Sequence, residues 1–535
     1  MRWRLSAACV LAALAVGAAG APNGRASQPE PYDIILYGGR VLDGTGNPWY
    51  RADIGIRGGF IVEVRDLAGV PARRVVDISG HYVAPGFIDT HTHAGGALDE
   101  EERSGARPLL SQGITTIMAN PDGGGPVDLR AQRGGLLEHG LGVNVGLMIG
   151  HAAVRREVLG MEDRAPGPDE FEAMKGLVLT AMEQGAFGLS SGPYYAPGSF
   201  AETSELIELA RVSGRYGGVY QSHIRDEADY SIGLSAAAEE VIEIARESGA
   251  RGIVTHIKAL GPRVWGLSAR VIMQIQQARD RGVEVFADQY PYHASSTSLG
   301  AALLPRWAEA GGREALEERL ADEETAGRIR AEMVENLERR GGAERIQFTG
   351  GGPDREGRTL AEVADAVGGD PVDAAMRILA RGSPSIVSFN MHRDDIAAFM
   401  RQPWTMTASD GSLPRFGVGQ PHPRAYGTFP RKIRYYALEE GVVDLPSAIR
   451  SMTSLPAAVF RVPDRGLVRP GMAADLVVFD PDRIRDRATF EEPHRYAEGV
   501  VHVLVGGEFA VEEGVFTGGL HGTILVPAGR RGMEP

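Results

Sequence analysis

Two histidines spaced one apart, His91 and His93, close the apolar run APGFIDTHTH over residues 84–93. Successive strand residues face opposite sides, so both imidazoles would leave one face, as two ligands of a single metal must. A bare His-x-His fits two solvated or core histidines as well, and the rest of the chain bears on the choice. His223 follows the apolar run GGVYQS and His256 follows RGIVT. If both runs are strands of one parallel barrel, four imidazoles converge at the mouth where such barrels place their chemistry. Imidazole combined with carboxylate suits Zn²⁺ or a similar borderline divalent ion, one or two of them. An ion so held activates water near neutral pH, so the chain reads as a metallohydrolase.

The elements that would position these groups alternate. Strand-like runs at Gly146 to Ile149, Ala186 to Ser190, Gly218 to Gln221, Gly252 to His256 and Val283 to Ala287 are separated by helical stretches such as SAAAEEVIEIARESG. Strands alternating with helices imply a parallel sheet, and this many imply an α/β fold built on a (β/α)₈ TIM-like barrel, expected over 85–465. Charged helical stretches over 299–385, Glu314 to Arg340 among them, break the rhythm and predict an insertion over the barrel mouth. Short β-rich runs punctuated by glycine occur at both ends, over 32–84 and again over 466–535. These predict one small β-sandwich of antiparallel strands, with LHGTILV as its last.

At 535 residues, 43% hydrophobic and 24% charged, the chain has an ordinary composition for a folded protein with a large core. A net charge of −14 repels phosphate backbones, and no dense basic run with interleaved aromatics offsets it, which argues against nucleic-acid binding. Arg2 and Arg4 precede an apolar run from Leu5 to Ala19 and then small residues. That layout predicts a signal peptide within residues 1–26, cleaved after Ala21 or Ala26, and a periplasmic or secreted product without stable membrane insertion. Cys9, the single cysteine, falls inside this leader, so the mature chain would hold neither disulfide nor thiolate ligand. Oligomeric state is left open.

The ordered motifs PGFIDTHTH, QGITTIMANPDG, GLSSGPYYAPGSFAETSELIELARV, QSHIRDE, HIKALG, DQYPYHASST, SDGSLP, HPRAYGTFPR, MTSLPAAVF and RPGMAADLVVFDP run from Pro85 to Pro481, within a similarity that covers the chain from about Tyr32 to Val526. Together they resemble the N-acyl-D-amino-acid deacylase (D-aminoacylase) family of the amidohydrolase superfamily. The resemblance implies a metal-dependent hydrolase that splits a small N-acyl-D-amino acid into a carboxylate and a free D-amino acid. It implies that Asp410, in TASDG, also binds the metal and moves protons from the attacking water to the leaving amine. The family run after QGITT usually ends Asn-Cys-Gly with the cysteine on the metal; here Asp122 stands in that place. Its carboxylate is a harder ligand that can bridge two ions, or else it only supports the turn at Gly123, Gly124 and Gly125. Arg424 resembles the arginine that grips the substrate α-carboxylate, a task suited to its guanidinium fork, although three extra residues separate it from Asp410. Lys258, two residues past His256 and expected on the same strand face, resembles a second contact to that carboxylate; otherwise it is a solvated charge. Tyr195, Tyr290 and Ser296 match polar pocket positions, and the tyrosines would otherwise simply pack. His151, in GHAAVRREVLG, is expected to support structure. An amidohydrolase for a cyclic ureide or dipeptide would not need Arg424, and a catalytically silent homologue would have lost ligands.

Overall fold

Each barrel strand is short and buried on both faces, as parallel strands covered by helices must be. In chain order they are β1 (Phe87–Asp89), β2 (Ile114–Ala119), β3 (Asn144–Leu147, resuming at Ile149–Gly150), β4 (Gly188–Ser191), β5 (Val219–Ser222), β6 (Arg251–Val254), β7 (Val285–Gln289) and β8 (Thr405–Thr407). Every adjacent pair from β1 to β8 is parallel. Closure comes from side chains and loop backbone: Thr90 Oγ1 donates to Thr407 O at 3.3 Å and Ser409 N to Asp89 Oδ1 at 2.8 Å. Asp410 N donates to His91 O, again at 2.8 Å, so the two ends of the barrel deliver His91 and Asp410 side by side. This computed structural model describes residues 30–529, so the expected leader and Cys9 lie outside it.

The helices pack outside by ordinary amphipathic logic. Over Leu234–Ser248 the residues Ala237, Ala238, Val241, Ile244 and Ala245 are buried, and the helix ends at Gly249, whose φ of +73° supplies a left-handed cap donating to Ala245 O. Arg393–Met400 is the helix that returns the chain to β8. Among the described residues no helix is long and apolar enough to cross a membrane.

The chain ends form a sandwich of a four-stranded and a seven-stranded sheet, sharing a core of Ile34, Leu36, Ile54, Leu476, Val478 and Leu504. Two details differ from the sequence reading. Tyr32–Tyr37 pairs in parallel with Ala72–Asp77, and Arg40–Val41 in parallel with Tyr82–Pro85, so the sandwich is mixed rather than antiparallel. The LHGTILV run does not join it. Val145 N donates to Thr523 O at 2.9 Å, Leu525 N donates to Val145 O at 2.8 Å, and Leu525 is buried in the barrel core with Phe187 and Met148. An apolar alternation shows that a segment seeks a sheet but does not say which sheet.

The insertion begins a few residues earlier than expected, at Ser295. Strands Ser295–Ser298, Ile346–Phe348 and Ser385–Ser388 form an antiparallel sheet, against which Glu323–Arg339 and Pro371–Leu379 pack. Leu303, Ile329, Met333, Phe348 and Ile386 give it a core of its own. Where the loop after β6 meets it, Gly261 (φ +97°) passes so close to the helix end that a methyl there would lie 2.1 Å from Arg339 O. Only glycine allows that approach.

Candidate active site

His91 and His93 lie just beyond β1, His223 directly after β5, His256 two residues beyond β6, Asp122 past β2 and Asp410 past β8. Six side chains from five strand ends thus meet at one mouth. Asp122 is their centre: Oδ1 lies 3.3 Å from His91 Nε2, 3.7 Å from His256 Nε2 and 3.9 Å from His223 Nδ1, while Oδ2 lies 3.4 Å from His93 Nε2. Asp410 Oδ1 sits 3.2 Å from His93 Nε2 and 3.6 Å from His91 Nε2. His223 Nδ1 and His256 Nε2 are 2.9 Å apart. Asp122, His256 and Asp410 hold φ of +55°, +35° and +50°, conformations that cost about 1–3 kcal/mol each for residues other than glycine and cluster at functional sites.

These residues fit a bound cation. One ligand atom each from His91, Asp122, His256 and Asp410 lie within 4.8 Å of one another. Both nitrogens of His91, Asp122 Oδ1 and His223 Nε2 are buried without a hydrogen-bond partner, a cost that a metal would remove. Burial pushes His223 down to about 3, so it keeps a free lone pair. The His93 side chain is 43% exposed; desolvation in the site would lower its pKa, but the carboxylates of Asp122 and Asp410 outweigh it and push this imidazole up to about 10. The two aspartates therefore call for positive charge between them.

The pocket residues gather around this cluster in a cavity of about 620 Å³. Arg424 opens the helix Arg424–Arg431; its Nη1 is 2.7 Å from Asp410 Oδ2 and its guanidinium lies 4.8 Å from the Tyr290 ring centre. Burial works against ionisation of Asp410, yet Arg424 and the histidines hold its carboxyl well below the usual range. Tyr195 packs its ring 4.7 Å from that of His223, and its hydroxyl is 3.4 Å from Thr297 Oγ1. Ser296 lines the cavity and donates to Ile386 O at 3.0 Å. Lys258 is neither on a strand nor solvated, since β6 ends at Val254; it is buried, pairs with Glu227 and lies 2.7 Å from His256 Nδ1. His151 stands apart from the cluster, its Nε2 2.8 Å from Glu205 Oε1.

Two residues escaped the sequence reading. Glu227, four past His223 in QSHIRDE, lies 3.0 Å from His256 Nδ1 and 3.8 Å from His223 Nε2, and Lys258 with both histidines holds it ionised despite burial. Asp288, in DQYPYH, accepts from His256 N at 2.6 Å and from Thr90 Oγ1 at 3.0 Å, and its backbone oxygen accepts from Ile257 N at 2.8 Å. It thereby holds the strained turn that presents His256. A carboxylate four residues after a candidate ligand was the available signal for Glu227; nothing local marks Asp288.

A barrel mouth with four imidazoles and two carboxylates around one point defines a metal-dependent hydrolase class. Residues 74–511 match the amidohydrolase family model. N-acyl-D-glutamate deacylase of Alcaligenes xylosoxydans xylosoxydans is 35% identical over 89% of this chain and 93% of its own. D-aminoacylase of the same organism is 34% identical over 93% of this chain and 98% of its own. The crystal structure of N-acyl-D-glutamate deacylase from Bordetella bronchiseptica, complexed with zinc and a phosphonate mimic of the tetrahedral intermediate, superimposes with a TM-score of 0.80 at 34% identity, covering 93% of this chain and all of that one. The chain belongs to the amidohydrolase family, in its N-acyl-D-amino-acid deacylase branch.

Proposed function

We propose that this protein hydrolyses the amide of N-acyl-D-amino acids, releasing a carboxylate and a free D-amino acid. The observation that carries the reading is Asp410 standing between two partners: one oxygen faces His91 and His93, the other faces the Arg424 guanidinium. Asp122, His91, His93, His223, His256 and Asp410 would hold one or two divalent ions, zinc by analogy with the Bordetella complex. Such an ion supplies Lewis acidity at the scissile carbonyl and lowers the pKa of water. The α-carboxylate docks on Arg424, with Tyr290 beneath it and Lys258 and Ser296 beside it. Asp410, held ionised, takes a proton from the attacking water as oxygen bonds to the acyl carbon. It returns that proton to the amide nitrogen as the C–N bond breaks. The apolar run from Leu5 to Ala19 behind Arg2 and Arg4 supports reading the enzyme as exported.

The test is amine release from N-acetyl-D-amino acids and their L-enantiomers by the purified, zinc-reconstituted protein. D-selective release that is lost on chelation and restored by zinc supports the reading; release without D preference, or full activity after metal removal, overturns it.

A further inference from the structure

Three arginines and one lysine line the active-site cavity, and their pairing is unequal. Lys258 is neutralised by Glu227 and Arg424 by Asp410, whereas Arg156 stands exposed at the rim. Arg340, delivered by the insertion, is 1% exposed and meets neutral groups: its Nε donates to Ala302 O (3.2 Å), Nη1 to Ser388 Oγ (3.0 Å) and Nη2 to Tyr194 OH (3.1 Å). Its guanidinium also lies 5.9 Å from the Tyr230 ring centre, among the described residues it forms no ion pair with a carboxylate, and of its five N–H donors two remain. Burying a charge without a counter-charge costs several kcal/mol, which a purely structural staple would avoid with an uncharged side chain. Its place is specific too. Tyr194, whose hydroxyl receives Arg340, packs its ring 5.1 Å from that of His223, on the Tyr195 side of the metal cluster. Arg424, Tyr290 and Lys258 make a separate wall. The close approach at Gly261 fixes the helix end from which Arg340 projects.

We propose that Arg340 binds a second carboxylate of the substrate, so that this enzyme prefers N-acyl-D-amino acids carrying one beyond the α-carboxylate. The inference rests on the proposed deacylase activity. That second carboxylate belongs either to an acidic side chain or to a dicarboxylic acyl group, and two matched pairs separate these sources. N-acetyl-D-glutamate against N-acetyl-D-glutamine varies charge on the side chain alone; N-succinyl-D-alanine against N-succinamoyl-D-alanine varies it on the acyl arm alone.

In the zinc-loaded enzyme one acidic member should exceed its neutral partner in kcat/KM by roughly 10–100-fold, since a hydrogen bond between two charged groups is stronger than one to a neutral amide. Arg340→Met should bring that ratio close to one. A loss of folded enzyme lowers both members alike and leaves the ratio standing, so the ratio reads binding rather than stability. Tyr194→Phe, which frees Nη2 of Arg340, provides a second variant that should shrink the same ratio. No preference for the acidic member in either pair, or a preference that survives both substitutions, overturns the inference. Absence of turnover with any D-substrate overturns the deacylase reading itself, a distinguishable failure.

Discussion

Asp122 and Asp410 are alike in type and opposite in surroundings. Asp122 is ringed by imidazoles, whereas Asp410 shares its carboxylate between two imidazoles and a guanidinium. Asp410→Asn keeps the shape and removes the base, so turnover should fall 10²-fold or more on general acid/base grounds while metal content stays above half of normal. Rates near wild type in that variant would end the proton-transfer role. Asp122→Ala should instead lower bound metal and activity together, with excess metal restoring part of the rate; full occupancy measured by metal analysis would return Asp122 to a turn function. Asp288 stands outside the proposed ligand set, and its carboxylate accepts from His256 N. Asp288→Asn should therefore weaken metal affinity by roughly 10–100-fold, the usual cost of losing a group that orients a ligand, as metal competition with a chelator would report.

At the scale of elements, the helix His151–Leu159 is tied to the helix Thr203–Arg215 by one buried carboxylate. Glu205 lies 2.8 Å from His151 Nε2 and 2.6 Å from Arg155 Nη1. Burial opposes its ionisation, but His151 and Arg155 outweigh that and lower its pKa from the ordinary 4.5. A depressed carboxylate contributes stability that is present above 4.5 and lost as pH falls through the lower folded value. Glu205→Gln should thus cost about 3–5 kcal/mol near neutral pH, the price of breaking a buried pair, and the gap to wild type should close below pH 4.5. Urea titrations across that range would show it, and a gap independent of pH would refute it.

In the whole molecule the carboxyl-terminal segment crosses from the sandwich to the barrel floor, which predicts that the two units unfold together. Leu525 is buried beside Phe187, Met148 and Leu455. Leu525→Ala should cost about 2–5 kcal/mol and lower the unfolding midpoint of the barrel as well as the sandwich. A loss confined to one of two separate transitions would mean that the segment only decorates the surface.

What local order determines was readable without the fold. Alternation of strand and helix announced the barrel because side-chain period follows secondary structure, and His91, His93, His223 and His256 declared themselves because each follows an apolar run. The pocket residues and Asp122 were legible through ordered motifs rather than through any local rule. Three things required the tertiary structure. Lys258 turned out buried because Glu227, contributed by the loop after the preceding strand, neutralises it. The last β-run chose the barrel over the sandwich because its neighbour, β3, is 379 residues away from it in sequence at the Asn144–Thr523 contact. Arg340 reached the cavity only because an insertion with its own core leans on a glycine of the barrel. Chemistry that resides in a residue type shows in the order of the chain; charge balance depends on which distant groups meet, and that is decided in three dimensions.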